Sequence, residues 1–188
     1  MPQITSSDFK NGKTLLLDGV LFQIVEFQHV KPGKGHAFVR TKLKNLENGG
    51  VVDKTFRTDE KVEQAVIERS EMQFLYRDGD DYVFMDSETY DQTHVAAAVV
   101  GDQGGFIKDG SIVVVPFHDG RALGVELPAA VVLEVTETEP GVKGDRVSGA
   151  TKAATLETGI RVAVPLFVET GTKIKVDTRE GTYLSRES

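Results

Sequence analysis

The chain has 188 residues, of which 39% are hydrophobic and 27% charged, an ordinary mixture for a soluble globular protein. It has no cysteine, so disulfides and thiolate zinc sites are excluded. No apolar run approaches the roughly 20 residues of a membrane-spanning helix, and the start of the chain lacks the basic and apolar regions of a secretory signal. We therefore expect a cytoplasmic protein that does not enter a membrane.

Charge is distributed unevenly along the chain, whose net charge is −7. Residues 65–128 carry four basic and twelve acidic residues, whereas residues 28–57 carry seven basic and two acidic ones. A local basic face can bind phosphate while the acidic remainder discourages indiscriminate binding to nucleic acids. On charge alone, the alternative is a pair of solvated charged strands with no such role.

The first third of the chain is predicted to form a small barrel of about five strands. Asp18-Gly19 separates two apolar runs and favours a two-residue hairpin, because the turns that suit a hairpin need positive φ at both positions. Further on, Arg40, Lys42 and Lys44 recur at every second position and are expected on one face of a strand. The predicted strands of this part span residues 14–17, 20–27, 37–44 and 51–56.

The remainder of the chain is also rich in short apolar runs, which predict strands at residues 73–77, 82–86, 111–117, 129–135, 160–168 and 172–176. Residues 91–100 contain three alanines and are predicted to form a short helix. Residues 59–70 fit either a helix or a strand, and we place the junction to a second unit there. The expected domains are residues 1–64, 65–128 and 129–188.

A repeated pattern suggests that the second and third domains are duplicates. The pattern Gly-x-x-Val-x-Val-Pro occurs at residues 110–116 and again at residues 159–165, 49 residues later. Two copies of one small β-barrel would explain the repeat. The alternative is a chance match of a few apolar, glycine and proline positions.

Signatures of enzymes and metal sites are incomplete in this sequence. Residues 144–151 resemble a phosphate-binding loop, but Ala150 stands where the lysine that contacts the phosphates should be. The four histidines are isolated, and the acidic turn at Asp78–Asp81 lacks the distant glutamate of a calcium-binding loop. We therefore predict a protein that is not an enzyme and has no catalytic residues, no metal and no cofactor.

The loop Lys31-Pro32-Gly33-Lys34-Gly35 is the most distinctive candidate site. Pro32 fixes φ, while Gly33 and Gly35 permit positive φ and remove side-chain bulk on both sides of Lys34. A tight hairpin tip with one projecting lysine is therefore expected. An ordinary turn with a solvated lysine is the alternative, but the basic strand that follows favours a role in binding phosphate.

The loop and the strand after it resemble the corresponding part of bacterial translation elongation factor P. The resemblance extends to the C-terminal region, where residues 152–171 fit the long gapped signature of that family. The ending at residues 174–186 is also similar to the family, so the match covers essentially the whole chain. A signature of this length is specific, whereas the five loop residues alone are not.

The resemblance implies three small β-barrels in an L-shape: an SH3-like N-terminal barrel and two oligonucleotide-binding-type barrels. It also implies a factor, expected as a monomer, that binds the 70S ribosome beside peptidyl-tRNA and contacts ribosomal RNA. Such a factor stimulates peptide-bond formation and relieves stalling at consecutive prolines. Its working principle would be to position the reactants, with no acid–base chemistry of its own.

Roles for the loop follow from the resemblance by position. Lys34 would lie by the acceptor end of the peptidyl-tRNA, with Arg40, Lys42 and Lys44 facing phosphates behind it. In many members of the family the equivalent lysine carries a post-translational extension. Lys34 is therefore a candidate substrate for a lysine-modifying enzyme.

Candidate residues in the other two domains also follow from the resemblance. Gly101 and Asp102 would begin a loop that meets the tRNA elbow, although the next four residues, 103–106, depart from the family pattern. Gly144 and Asp145 would approach the exit-site codon. The C-terminal segment would face the small ribosomal subunit through Tyr183 and Arg186.

Two other functions are compatible with parts of the sequence. A generic single-stranded nucleic-acid-binding protein would interleave exposed aromatic and basic side chains, but aromatics are only 7% of residues and tryptophan is absent. An enzyme with a metal bound at Asp78–Asp81 would need a fuller set of oxygen ligands than that turn supplies. Translation of proline runs would separate the resemblance-based function from both of these.

Overall fold

The computed structural model describes residues 2–141 and 149–187, and most regular structure in them is β. The strands form sheets of six, five and five strands, which confirms the predicted all-β class. The strands of the first sheet are β1 (Gln3–Thr5), β2 (Thr14–Leu17), β3 (Val20–Val30), β4 (Phe38–Asn45), β5 (Val51–Arg57) and β6 (Lys61–Gln64). Those of the second are β7 (Glu68–Asp78), β8 (Asp81–Asp86), β9 (Gln92–Ala96), β10 (Ile112–His118) and β11 (Arg121–Ala122). Those of the third are β12 (Ala130–Thr138), β13 (Thr151–Leu156), β14 (Arg161–Pro165), β15 (Lys173–Asp177) and β16 (Tyr183–Arg186).

The first sheet has the order β1-β6-β2-β3-β4-β5 and encloses its own core. Alternate residues of its strands point inward, where Phe9 and Phe56 meet edge to face with ring centroids 5.1 Å apart. The buried residues of this core are Phe9, Leu15, Ile24, Val39, Leu43, Phe56 and Val62. The sheet has six strands, where the sequence predicts about five, because Gln3–Thr5 pairs with β6.

The predicted hairpin at Asp18-Gly19 is confirmed. Asp18 has φ of 50° and Gly19 has φ of 79°, and Leu17 pairs with Val20 on either side of the turn. Positive φ at both central positions gives the turn a twist that matches the twist of the flanking strands. The second strand of this hairpin, β3, continues to Val30, beyond the predicted end at residue 27.

The second and third sheets have the same topology. Their orders are β11-β10-β7-β8-β9 and, read from the other edge, β16-β15-β12-β13-β14. In each sheet the first strand of the set therefore lies in the middle, between the second and the fourth. This shared order supports the idea that the two sheets are duplicates of one design.

The spacing between equivalent positions is 61 residues, and the predicted spacing of 49 is wrong. Gly110 donates its backbone N–H to the carbonyl of Phe74 at 2.9 Å, and Gly171 donates to the carbonyl of Val135 at 2.7 Å. A β-bulge follows Phe74 in β7 and Val135 in β12. The 49-residue alignment equates β10, a neighbour of the first strand, with β14, which lies at the edge of its sheet.

The helix predicted at residues 91–100 is wrong for most of its length. Gln92–Ala96 forms β9, and only Ala97–Val100 makes a helical turn, α1. Val95 is buried and pairs with Tyr82 of β8. Packing of alternate side chains against β8 therefore outweighs the helix propensity of the alanines, which begin only at the end of β9.

The helical structure of the described residues is confined to short turns. In residues 2–141 and 149–187 it comprises α1 and the 3₁₀ turns Ser6–Asp8 and Gly101–Phe106. None of these has the length and apolar character needed to cross a membrane. Residues 59–70, for which the sequence allowed either helix or strand, contain β6 and the beginning of β7.

Contacts divide the chain into two compact units. The first consists of Met1–Glu68 with Phe117–Leu123, and the second of Arg69–Pro116 with Gly124–Ser188. The third sheet and most of the second sheet therefore belong to one unit. The three domains expected from the sequence, residues 1–64, 65–128 and 129–188, stay a prediction.

Replacing Gly171 with alanine should lower the free energy of unfolding by about 1 kcal/mol, because φ there is 90° and an alanine disfavours that conformation. No atom lies within 4 Å of the added Cβ, so the cost is conformational rather than steric. Gly33→Ala is the matched control, since Gly33 also has open space but no positive φ. Equal effects of the two substitutions in urea-unfolding measurements would contradict the expectation.

Candidate nucleic-acid interface

The hairpin of β3 and β4 carries the predicted loop at its end. Val30 pairs with Phe38, so residues 31–37 form the connection, seven in all. Residues 31–36 are exposed, and none of the backbone hydrogen bonds found outside regular elements of the described chain involves them. The loop is therefore longer and looser than the tight tip that the sequence predicts.

The two glycines beside Lys34 differ in conformation. Gly35 has φ of 101°, whereas Gly33 does not have positive φ, so the expected use of positive φ is right only for Gly35. The nearest atom to a Cβ built on Gly35 is Cγ of Pro32, at 4.0 Å. Lys34 has no ion-pair partner within residues 2–141 and 149–187. Its ammonium group is therefore available for an external anion.

The basic strand has the predicted alternation. Arg40, Lys42 and Lys44 are exposed on β4, and the residues between them are buried. The one polar residue among those buried ones, Thr41, donates its hydroxyl to the carbonyl of Lys54 at 2.7 Å. A single strand thus builds the core with one face and a row of cations with the other. The role of this row in contacting phosphates stays a prediction.

Acidic side chains on the neighbouring strands offset part of the positive charge of this row. Lys42 lies across from Glu26 of β3 and Asp53 of β5, and its Nζ is 3.8 Å from the carboxylate of Glu26. Arg40 lies across from neutral residues, Gln28 and Thr55. Glu26 lies just outside the basic segment of residues 28–57 that was counted in the sequence. Only the strand register shows that its negative charge lies beside Lys42.

In the second unit, Gly101 and Asp102 follow α1 directly. Gly101 has φ of 65° and ψ of −150°, a combination that is essentially restricted to glycine. Val100, just before it, is buried and anchors the end of the helical turn. Asp102 begins the next turn with an exposed side chain. Its predicted contact with a tRNA elbow stays a prediction.

Gly104 and Gly105, which follow Asp102 closely, lie directly against side chains from other parts of the second unit. A Cβ on Gly104 would collide with the phenol of Tyr82, and a Cβ on Gly105 would collide with a methyl group of Ile160. Glycine at both positions lets the backbone lie directly against side chains of the second and third sheets. The segment after Asp102 therefore forms a junction between the second and third sheets, which both belong largely to one unit.

Hydrogen bonds strengthen the same junction. Thr158 donates its hydroxyl to the carbonyl of Gly105 at 2.5 Å, and Gln103 donates its side-chain amide to the carbonyl of Thr178 at 3.3 Å. The sequence did not identify Thr158 or Thr178. Threonine in a turn is common, so no local pattern distinguishes these two from other threonines.

The C-terminal candidates differ in their surroundings. Tyr183 is half-buried and packs against the core of the third sheet, whereas Arg186 is exposed with its guanidinium 4.8 Å from the ring centroid of Phe167. Tyr183 thus contributes to packing, and Arg186 presents charge to the solvent. Gly144 and Asp145 lie outside the described residues, so the structure gives no account of them.

Residues 2–141 and 149–187 contain no group of three or more His, Cys, Asp or Glu side chains that could hold a metal ion. At the acidic turn, Nδ1 of His94 is 3.9 Å from a carboxylate oxygen of Asp78 and 3.7 Å from one of Asp81. These contacts join β9 to the end of the β7–β8 hairpin.

The turn after β15 is shaped by Asp177. Its carboxylate accepts backbone N–H groups from Glu180 at 2.9 Å and Arg179 at 2.8 Å. Because these bonds stabilise the ionised form, the pKa of Asp177 is lowered from its ordinary value of 3.8. The same turn contains Thr178, whose carbonyl receives Gln103, so Asp177 supports the junction indirectly.

Three family models match the chain end to end. Residues 5–62 match the elongation factor P KOW-like domain, residues 67–125 the elongation factor P OB domain, and residues 131–186 the elongation factor P C-terminal domain. Curated relatives called elongation factor P include those of Kocuria rhizophila and Acidothermus cellulolyticus. Each is 60% identical over 182 residues, which is 97% of this chain and 97% of the relative.

A solved structure is similar over a shorter part of the chain. Eukaryotic translation initiation factor 5A from Methanococcus jannaschii is 27% identical with a TM-score of 0.54, over 65% of this chain and 88% of that one. The small β-barrels and these matches define a translation factor. More specifically, the chain belongs to the elongation factor P family, which confirms the resemblance drawn from the loop and the C-terminal signature.

Removing the hydroxyl of Thr158 should destabilise the junction in the second unit. Thr158→Val keeps the shape but leaves the carbonyl of Gly105 without its donor, which should cost about 1–2 kcal/mol of unfolding free energy. Thr182→Val is the control, because Thr182 is exposed and its hydroxyl makes no hydrogen bond within the described residues. Urea unfolding followed by circular dichroism measures both, and a neutral Thr158→Val would contradict the assigned contact.

Asp177 should make stability depend on pH in the acid range. Because its folded pKa is lowered, its contribution is present above the ordinary value of 3.8 and is lost as pH falls through the folded pKa. The melting temperature of the native protein should therefore exceed that of Asp177→Asn near neutral pH, with the gap closing below pH 3.8. Glu88→Gln, at an exposed carboxylate that accepts no hydrogen bond in the described chain, is the control for removing one acidic charge. A gap for Asp177→Asn that persists unchanged below pH 3.8 would contradict the expectation.

Proposed function

We propose that this protein binds the 70S ribosome beside peptidyl-tRNA, stimulates peptide-bond formation and relieves stalling at consecutive prolines. The observation that carries the proposal is the exposed Lys34 at the end of a hairpin whose outer face bears further cations. Lys34 forms no ion pair within residues 2–141 and 149–187. Membership of the elongation factor P family supports it. The protein works in the cytoplasm as a monomer and is not an enzyme.

Lys34 is the group that approaches the acceptor end of the peptidyl-tRNA. A lysine ammonium is a compact cation that forms charge-assisted hydrogen bonds with phosphate and sugar oxygens. The glycines on both sides leave the loop backbone unshielded, so it can approach an RNA chain closely. Contacts with the backbone of RNA suit a factor that acts on one tRNA shape rather than on one base sequence.

The catalytic benefit comes from positioning. Proline is conformationally restricted, so its peptide bond forms slowly unless donor and acceptor are well aligned. Alignment of two reactants can supply several kcal/mol of a reaction barrier. By holding the acceptor end in place, the factor accelerates a reaction that the ribosome itself performs. No metal, cofactor or acid–base residue of the factor takes part.

The remaining contacts are assigned by position. Gly101 and Asp102 meet the tRNA elbow, and Arg186 faces the small subunit, with Tyr183 holding the strand in place. Gly144 and Asp145 approach the exit-site codon. Ribosomal RNA supplies the surrounding surface.

The exposed amine of Lys34 also suits a lysine-modifying enzyme. Such an enzyme can reach it without unfolding the barrel, because residues 31–36 are exposed and make no backbone hydrogen bonds outside regular elements in the part of the chain that the structure describes. An extension of Lys34 would lengthen the group that probes the acceptor end. The intact mass of protein isolated from its host reports whether the extension is present.

The test is synthesis of a peptide with three consecutive prolines in a reconstituted bacterial translation system. The native protein, isolated from its host, should restore full-length product. Lys34→Ala should reduce the rate of the stalled step by about 10- to 100-fold, which corresponds to losing one charge-assisted contact of about 1.5–3 kcal/mol. Lys31→Ala, at another exposed lysine of the same loop, should retain most of the stimulation.

A proline-free peptide and a ribosome-binding assay complete the experiment. Translation of the proline-free peptide should be the same with and without the factor. If the native protein binds ribosomes but does not stimulate the proline-rich peptide, the proposal is wrong. A generic single-stranded nucleic-acid-binding function would then be the better description.

A further inference from the structure

The outer face of the first sheet is arranged in rows that cross β3, β4 and β5. Antiparallel pairing places directly opposite residues on the same side of a sheet. From the loop downwards, the first three rows are Val30–Phe38–Arg57, Gln28–Arg40–Thr55 and Glu26–Lys42–Asp53. The rows differ in charge, so the face is not uniformly basic.

The third of these rows has more acidic than basic side chains. Lys42 lies between Glu26 and Asp53, and its Nζ is 3.8 Å from Glu26. Two carboxylates beside one ammonium leave the row with a net negative charge. A phosphate that approached Lys42 would also meet both carboxylates, which makes this row a poor place to bind RNA.

The two rows nearest the loop contain cations without opposing carboxylates. Arg40 and Arg57 are both exposed, and neither forms an ion pair within the described residues. The carboxylate of Glu60 accepts the backbone N–H of Arg57 at 2.9 Å, but it forms no ion pair with the Arg57 guanidinium within the described residues. Both guanidinium groups are therefore available on the side of the face that adjoins the Lys34 loop.

An aromatic ring lies between these two arginines in the register. Phe38 pairs with Arg57 across the strands and precedes Arg40 by two positions, on the same face. The guanidinium carbon of Arg40 is 5.5 Å from the centroid of the Phe38 ring, which restrains that arginine. Diagonal neighbours in a sheet, such as Arg40 and Arg57, lie roughly 7–8 Å apart, a spacing that lets two planar forks contact neighbouring phosphates.

We propose that Phe38, Arg40 and Arg57 form a binding site for the sugar–phosphate backbone of a single-stranded RNA 3′ end, and that Lys42 takes no part in it. This inference rests on the proposed function, since the RNA end in question is that of the peptidyl-tRNA reached by Lys34. It adds Arg57 as a positioning residue. It also divides the predicted basic row into a part that binds and a part that does not.

A single-stranded end is the ligand chemistry that this patch fits. Arginine pairs with phosphate through two parallel hydrogen bonds, and an arginine restrained over an aromatic ring loses less freedom on binding. Gln28 and Thr55 flank Arg40 with groups that can bond to ribose hydroxyls. The site reads backbone rather than base, as a factor that serves many tRNAs requires.

The experiment measures ribosome affinity as a function of salt for the native protein, Arg40→Gln, Arg57→Gln and the matched control Lys42→Gln. The chain has no cysteine, so an introduced Asp91→Cys carries a single fluorescent label in every variant. Each protein is titrated into 70S ribosomes with intact peptidyl-tRNA, with peptidyl-site tRNA lacking its 3′ CCA, or with no tRNA. Melting temperatures confirm that each variant is folded.

Arg40→Gln and Arg57→Gln should each weaken binding to the intact complex about tenfold. Each should also reduce the slope of log affinity against log salt by about 0.7, the value for one single-strand phosphate contact. Lys42→Gln should change neither quantity. With the truncated tRNA or the vacant ribosome, all four proteins should bind alike.

Three outcomes would overturn the inference. One is an unchanged affinity for both arginine variants. Another is an equal loss for Lys42→Gln, which would indicate a diffuse positive face. The third is an equal arginine effect on vacant ribosomes, which would move the contact to ribosomal RNA. Stimulation of triple-proline synthesis by the native protein, measured in parallel, separates these failures from failure of the proposed function.

Discussion

The alternation of side chains along β4 is the constraint on which the rest of the first unit depends. A strand must place successive residues on opposite faces, and β4 places Val39, Thr41 and Leu43 in the core. The same geometry forces the residues between them outward, so core and cationic row are fixed together. A shift of one residue in the pairing of β3 with β4 would bury the cations. The hydrophobic core therefore determines where the charges lie.

Duplication organises the second unit. Gly110 and Gly171 occupy equivalent places, each at the end of a turn and each bonded to the residue before a β-bulge in the first strand. A bulge bends a strand and increases its twist, which helps a five-stranded sheet to curl around a small core. The two copies differ where the segment at Gly101–Phe106 is inserted in the second sheet. That segment both presents Asp102 and packs against the third sheet, so its exposed end directly precedes its packed end.

Local patterns predicted much of this structure. Asp18-Gly19 specified a hairpin because its backbone preferences are strong, and the period of two in β4 identified its outward face. The helix at residues 91–100 was mispredicted because propensity cannot register that Val95 packs against β8. The 49-residue repeat was misleading since any buried strand that follows a glycine turn looks similar. The 61-residue repeat is carried by backbone hydrogen bonds and bulges, which leave little trace in side-chain type.

The candidate site was predictable to a similar extent. Lys34 was identified because a segment of glycine, proline and lysine does not contribute to a hydrophobic core, which indicates an exposed loop. Neutralisation of Lys42 was not predictable, since it depends on Glu26 lying opposite in a particular register. Contacts such as that of Thr158 with Gly105 join residues 53 positions apart and involve ordinary residue types, so only the folded structure reveals them.

The length of the loop sets the reach of its lysine. Lys34 lies four residues from Val30 and four from Phe38, midway between the last paired residues of the hairpin. At about 3.3–3.6 Å per residue, four residues can carry the lysine at most roughly 13–14 Å beyond the end of the sheet. One residue more or less would move the lysine off the apex and change that distance. The number of residues between β3 and β4 therefore sets how far Lys34 can extend from the barrel.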